Sequence, residues 1–129
     1  MKKYLIDTQI LIWMAQQPNN ISVLAKDILE SENELFLSHV SVWEIAIKIK
    51  TEKLNIENSL SEFIKSSVEK YSLKLFPISL QHIYYTQQLS LHHRDPFDRL
   101  LIAQSMSENL PIISSDDAFD AYDVKRIWK

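Results

Sequence analysis

Lys3-Tyr4-Leu5-Ile6-Asp7-Thr8 is a short apolar run closed by an acid and leading into a helical pattern. A continuous apolar run this short reads as a buried strand, here over 3–6. Thr8 is placed to cap a helix to about 17, and Pro18 ends it because the residue before a proline avoids the α region. The alternation continues outward along the chain. Helical spacing predicts helices over 22–32 and 40–53, one capped by Ser59 or Ser61, and two more over 80–91 and 97–109. Apolar runs predict strands over 35–38, 73–76 (closed by Pro77), 111–114 and 124–128. Strands separated by helices indicate an α/β fold with a central, mainly parallel sheet of about five strands. In such sheets functional groups collect at the carboxyl ends of strands, near the point where strand order reverses.

The 129 residues suffice for one domain, 1–129, and are too few for two ordinary cores. No residue is cysteine, which excludes disulfide scaffolds, zinc ribbons and thiol nucleophiles. None is glycine either. That excludes the P-loop and the dinucleotide-binding fingerprint, which need glycine where backbone approaches phosphate. It also excludes the hydrolase nucleophile elbow. Left-handed turn positions then fall to Asn or Asp, for instance Asn19, Asn20, Asn55 and Asn109. The 14 Lys and Arg against 17 Asp and Glu give a net charge of −3, so no global charge attracts nucleic acid. A nucleic-acid partner would need a local basic patch or a bridging metal. No apolar run approaches the ~18 residues of a membrane helix. The N-terminal run, Met1 to Asp7, is broken by an acid and does not have the form of a signal peptide. The expected location is the cytoplasm.

Acids stand where chemistry would collect. Asp7 ends the first predicted strand, and Asp116 follows Ile112-Ile113-Ser114-Ser115 past the fourth. Helix capping explains either one alone. Glu44 lies in Ser41-Val42-Trp43-Glu44-Ile45-Ala46-Ile47, where it could meet the helix dipole or pair with Lys48. Its apolar surroundings favour partial burial, which requires a partner or a metal. Asp95 precedes Pro96 and reads as an N-cap. Asp98, in the same turn, is repelled by Asp95 unless a cation is present. Four acids from four segments, Asp7, Glu44, Asp98 and Asp116, thus point to one edge of the sheet. Clustered carboxylates push one another's pKa up. A hard divalent cation with oxygen ligands, Mg2+ or Mn2+, resolves that repulsion. Metal-activated water attacking a phosphodiester is the chemistry such a site supports.

These motifs carry a family likeness. Tyr4-Leu5-Ile6-Asp7-Thr8, Ser41-Val42-Trp43-Glu44-Ile45-Ala46, Asp95-Pro96-Phe97-Asp98-Arg99-Leu100-Leu101-Ile102-Ala103 and Ile113-Ser114-Ser115-Asp116 span nearly the whole chain in order. The sequence resembles the PIN-domain ribonucleases, specifically the VapC-type toxins of toxin–antitoxin pairs. The resemblance implies a three-layer α/β/α fold and an Mg2+ site made of Asp7, Glu44, Asp98 and Asp116, with Mn2+ as a substitute ion. It places Ser114 where family members often carry a hydroxyl supporting that site, with Thr8 directly after the first acid. Asp95 and Asp98 both stand near the third acidic position, and Asp-x-x-x-Ile-Ala favours Asp98. The implied activity is Mg2+-dependent endoribonuclease, with an RNA substrate, a cognate antitoxin and a homodimeric toxin.

Other residues offer weaker alternatives. Arg99 and Lys48 flank the acids and could hold RNA phosphates, or simply form solvated faces. His39, His82, His92 and His93 are assigned to surface or packing roles, since none pairs with a Glu at metal-ligand spacing. Trp13 and Trp43 fall in apolar helical patterns and read as core or dimer packing. Leu11, Ile12, Trp13 and Met14 near Asp7, with Val42, Trp43 and Ile45 near Glu44, could line a groove for an antitoxin or simply fill the core. Two other functions compete. A catalytically inactive PIN-like binding module would use the same fold without chemistry. A phosphatase with Asp7 as nucleophile would need an acid two residues on, where Gln9 stands.

Overall fold

The computed structural model describes residues 2–129; Met1, the start of the N-terminal run, lies outside them. Five strands form one sheet: β1 (Lys3–Ile6), β2 (Glu34–Ser38), β3 (Leu73–Phe76), β4 (Ile112–Ile113) and β5 (Arg126–Ile127). Their order is β3-β2-β1-β4-β5, and every pairing is parallel. Six helices join them: α1 (Thr8–Gln16), α2 (Val23–Glu30), α3 (His39–Lys50), α4 (Leu60–Tyr71), α5 (Leu80–Gln88) and α6 (Pro96–Glu108).

The two-residue period of the strands divides the core into two faces. Tyr4, Ile6, Leu35, Leu37 and Ile113 point to one side, where Ile10, Leu11, Ala25, Ile45 and Ile64 bring in α1 to α4. Leu5, Phe36 and Ile112 point to the other, against Leu101 and Ile102 of α6 and Phe119. Helices thus cover both faces, giving the three-layer α/β/α architecture. No helix among the described residues is long and apolar enough to cross a membrane.

Several local expectations shift. Thr8 does not cap α1: Asp7 holds the N-cap position and Thr8 is the first helical residue. The helix over 40–53 ends at Lys50, because Glu52 turns left-handed with φ 61°. The helix over 80–91 ends at Gln88. The last two strands are two residues each, since hydrogen-bonded pairing covers only Ile112–Ile113 with Arg126–Ile127. Ser59, rather than Ser61, caps α4. Of the predicted left-handed positions only Asn109 is one; the others are Glu52 and Ser72. Ser72 and Asn109 terminate α4 and α6, where a left-handed residue lets the chain leave the helix. Leu11 and Ile12 are core residues, and Trp13 and Met14 pack partly buried against them. Trp13 packs against Trp128 in a tilted pair with ring centroids 5.9 Å apart.

Candidate metal centre at the carboxyl edge of the sheet

The chain builds outward from β1 to β2 and β3, then crosses to β4 and β5 on the opposite side. The crevice beyond the carboxyl ends of β1 and β4 is therefore the switch point where parallel sheets hold ligands. Asp7 follows β1 and Ser114 follows β4, in the row after the Ile6–Ile113 pair. The Asp7 amide donates to the Ile113 carbonyl at 3.0 Å and fixes that alignment. β2 runs directly into α3, which carries Glu44, and Asp98 sits in the first turn of α6. Asp7, Glu44, Asp98 and Asp116 all line one cavity of about 260 Å³. Larger clefts lie elsewhere, such as one of about 510 Å³ between Ala15 and Asn58, with Glu57 its one acid.

Capping does not account for Asp7. It occupies the N-cap position of α1, yet its side chain makes no capping bond. Instead the Ser114 hydroxyl donates to Asp7 Oδ2 at 2.8 Å, with both residues buried. The same Ser114 oxygen accepts the Asp116 amide at 3.0 Å, so one hydroxyl aligns two acids. Asp116 does cap: its Oδ1 accepts from the Ala118 amide at 3.0 Å. Thr8 donates to the Ser41 hydroxyl at 2.8 Å, pinning the start of α1 to α3. Asp95 caps α6, accepting from the amides of Phe97 at 2.8 Å and Asp98 at 3.3 Å.

The electrostatics of the cavity are unfavourable to bare carboxylates. Burial raises the Asp7 pKa from 3.8 to about 6. The Ser114 bond opposes that rise, and the Glu44 and Asp116 charges add to it. Burial, with repulsion from Asp7, Asp95, Glu44 and Asp116, raises Asp98 to about 8. Glu44 Oε1 is buried without a hydrogen-bond partner. An orphaned carboxylate oxygen beside mutually repelling acids, with oxygen donors throughout, fits a hard divalent cation. Asp7, Glu44, Asp98 and Asp116 could hold it.

The flanking cations separate. Lys48 lines the acidic cavity one turn after Glu44, and among the described residues it forms no ion pair with Glu44. Arg99, expected to meet phosphate, is turned inward. Its NH1 donates to the Ser90 and His93 carbonyls and to the Tyr122 hydroxyl, and its NH2 to the carbonyls of Thr86 and Leu89. A guanidinium engaged by five oxygens is a structural clamp, and its expected phosphate role is withdrawn. Trp43 is 53% exposed and packs edge-on against Phe97 at 4.8 Å.

The sequence did not single out His93 or Tyr122 for the site. His93 Nε2 lies 2.8 Å from Asp98 Oδ2. Ligand-type atoms of His93, Asp98 and Asp116 fall within 4.8 Å of one another. The one sequence signal was the pair His92-His93 immediately upstream of the Asp95-to-Asp98 turn, which local spacing assigned to a loop.

The chain is thus a parallel α/β/α sandwich in which four acids converge at the switch point and form a potential metal site. The family model described as PIN domain matches residues 4–125, and the chain belongs to the PIN domain family, a nuclease family. Comparison with curated protein sequences gives no match. Solved structures do match in fold. VapBC2 from Rickettsia felis, bound to a DNA fragment from its promoter, gives a TM-score of 0.72 at 14% identity, covering 98% of this chain and 99% of that one. A toxin–antitoxin complex from Klebsiella pneumoniae gives 0.67 at 17%, covering 96% and 95%. VapBC-5 from Mycobacterium tuberculosis gives 0.62 at 18%, covering 98% of each.

Proposed function

We propose that residues 1–129 form a single PIN domain acting as an endoribonuclease, the VapC-type toxin of a toxin–antitoxin pair in the cytoplasm. The observation that carries this reading is the convergence of Asp7, Glu44, Asp98 and Asp116 on one cavity, with Glu44 Oε1 buried and unpartnered. These four residues would hold Mg2+, with Mn2+ as a substitute. A cation bound there supplies Lewis acidity and lowers the pKa of water for attack at phosphorus. Ser114 keeps one oxygen of Asp7 fixed and orders the Asp116 backbone. Thr8 and Ser41 hold α1 and α3 together, keeping Asp7 and Glu44 in register. Lys48 lines the cavity wall, and in this reading it would meet a phosphate of the RNA strand. Asp95 supports Asp98 by capping its helix.

The same reading includes a cognate antitoxin, since the structures similar in fold include toxin–antitoxin complexes. A homodimer is part of it, and exposed apolar residues such as Trp43 and Leu75 offer contact surface. The experiment is cleavage of RNA by purified protein with Mg2+, with EDTA, and for Asp7→Ala and Glu44→Ala. We expect Mg2+-dependent endonucleolytic products from wild type alone. RNA binding without cleavage at any divalent ion would instead establish an inactive binding module.

A further inference from the structure

His93 stands beside the acidic cavity in an arrangement open to two readings. Its proximity to Asp98 and Asp116 would suit a third ligand to a cation. The hydrogen bonds around the ring decide otherwise. The Asp95 amide donates to His93 Nδ1 at 3.3 Å, so Nδ1 carries a lone pair and no proton. In a neutral imidazole the proton is then on Nε2, which faces Asp98 Oδ2 at 2.8 Å. A protonated nitrogen has no lone pair for a metal. It has a hydrogen to donate to the carboxylate.

The loop that carries His93 is itself held in place. The Tyr122 hydroxyl accepts the amides of His92 at 3.1 Å and His93 at 2.8 Å, and donates to the Ser90 carbonyl at 2.7 Å. Arg99 grips the His93 carbonyl at 3.1 Å from α6. The ring is therefore fixed relative to the helix that bears Asp98. We propose that His93 is a positioning residue: locked in its Nε2–H form, it donates to Asp98 and fixes the rotamer in which that carboxylate lines the cation cavity. Outer partners that orient ligating carboxylates are worth about 10–100-fold in metal affinity.

This inference rests on the cation-binding reading of the site, and the tests separate the two. Two-bond proton–nitrogen correlation spectra of the metal-free protein report the His93 tautomer directly. The expected pattern is Nε2–H, unchanged on adding Mg2+. An Nδ1–H pattern without metal, or a switch to it with Mg2+, overturns the proposal in favour of ligation. Titration with Mn2+, followed by electron paramagnetic resonance, gives the second readout. His93→Ala should weaken Mn2+ binding about 10–100-fold, while His93→Gln, which keeps a donor near the same place, recovers most of it. Tyr122→Phe, which frees the loop, should weaken binding in the same direction. A lowered melting temperature in His93→Ala with unchanged Mn2+ affinity would mark a merely structural residue and overturn the proposal. If wild type binds no divalent ion, the proposed function fails, and the metal-free spectrum still judges the His93 hydrogen bond.

Discussion

Asp7 is the acid whose burden on the fold is best defined. A carboxyl ordinarily at 3.8 but held at about 6 in the folded protein opposes folding by about 3 kcal/mol once ionised. The sign follows from proton counts. Between those two values the folded state keeps the proton that the unfolded state has lost, so stability falls as pH rises. Asp98, raised to about 8, extends the decline into the neutral range. Asp7→Asn removes the charge, and the amide oxygen can still accept the Ser114 hydroxyl. It also removes a repulsion that raises Asp98. Without metal at pH 8, the variant should therefore exceed wild type by about 3 kcal/mol, or roughly 10 °C in melting temperature for a domain of this size. Below pH 3.8 the two should converge, since Asp7 is then mostly protonated in both states. A divalent ion at about 100 times its Kd should stabilise wild type by about 2.7 kcal/mol and leave the variant unmoved. Urea titrations at pH 3.5 and 8 with EDTA, and melts with Mn2+, measure all of this. Asp7→Asn no more stable than wild type at pH 8 in EDTA would refute the claim that burial, with the neighbouring acids, holds Asp7 above its ordinary range.

Three further outcomes are expected. Ser114→Ala should cost about 2 kcal/mol, because it strips a buried carboxylate of its donor. It should also raise the Asp7 pKa further and move the onset of Mn2+ binding to higher pH in a calorimetric titration. Asp95→Asn should lose about 1 kcal/mol or less in urea denaturation, since Asn also caps, and keep RNA cleavage, whereas Asp98→Asn should abolish cleavage; the reverse pattern would move the metal ligand to Asp95. Arg99→Lys should destabilise by about 3 kcal/mol, because one ammonium cannot reach the oxygens that the two guanidinium nitrogens span; an unchanged unfolding midpoint would return Arg99 to the surface.

The elements that the sequence exposed most clearly were those set by local chemistry. Leu73-Lys74-Leu75-Phe76 is bounded by Pro77, and β3 covers those four residues. Asp95-Pro96 marks the start of α6 because capping and a proline at the first helical position are local signals. The four acids were legible for a related reason. Asp7 and Asp116 follow strands and Asp98 opens a helix, positions that parallel strands put on one edge, whereas Glu44, in the second turn of α3, was legible from its apolar neighbours. What stayed hidden was non-local. His93 meets Asp98 only because the loop over residues 89–95 folds back over α6, and Tyr122, some thirty residues downstream, holds it there. Arg99 carries the same charge whether it faces phosphate or carbonyls, so its inward turn could not be read from residue type. Glu52 and Ser72 took left-handed backbone ahead of the available asparagines because helix ends, set by packing, determine where such a residue falls.

The partners of the four acids explain why the cavity suits a cation from outside the chain. Asp7 receives a hydroxyl, Asp116 a backbone amide, and Asp98 an imidazole N–H. Glu44 Oε1 receives nothing. Among the described residues, no lysine or arginine forms an ion pair with any of them. A paired lysine or arginine would neutralise the site, lower the acids' pKa values and leave little for a metal to gain. Neutral donors orient the carboxylates while leaving their charge uncompensated. Arg126 shows the contrast nearby: it is spent on Asp120, outside the cavity, and holds that acid below its ordinary range. The fold therefore leaves the acids at the switch point without a direct ion pair to lysine or arginine, although Lys48 lines the same cavity, and the buried charge that weakens the metal-free protein is the same charge that would bind the ion.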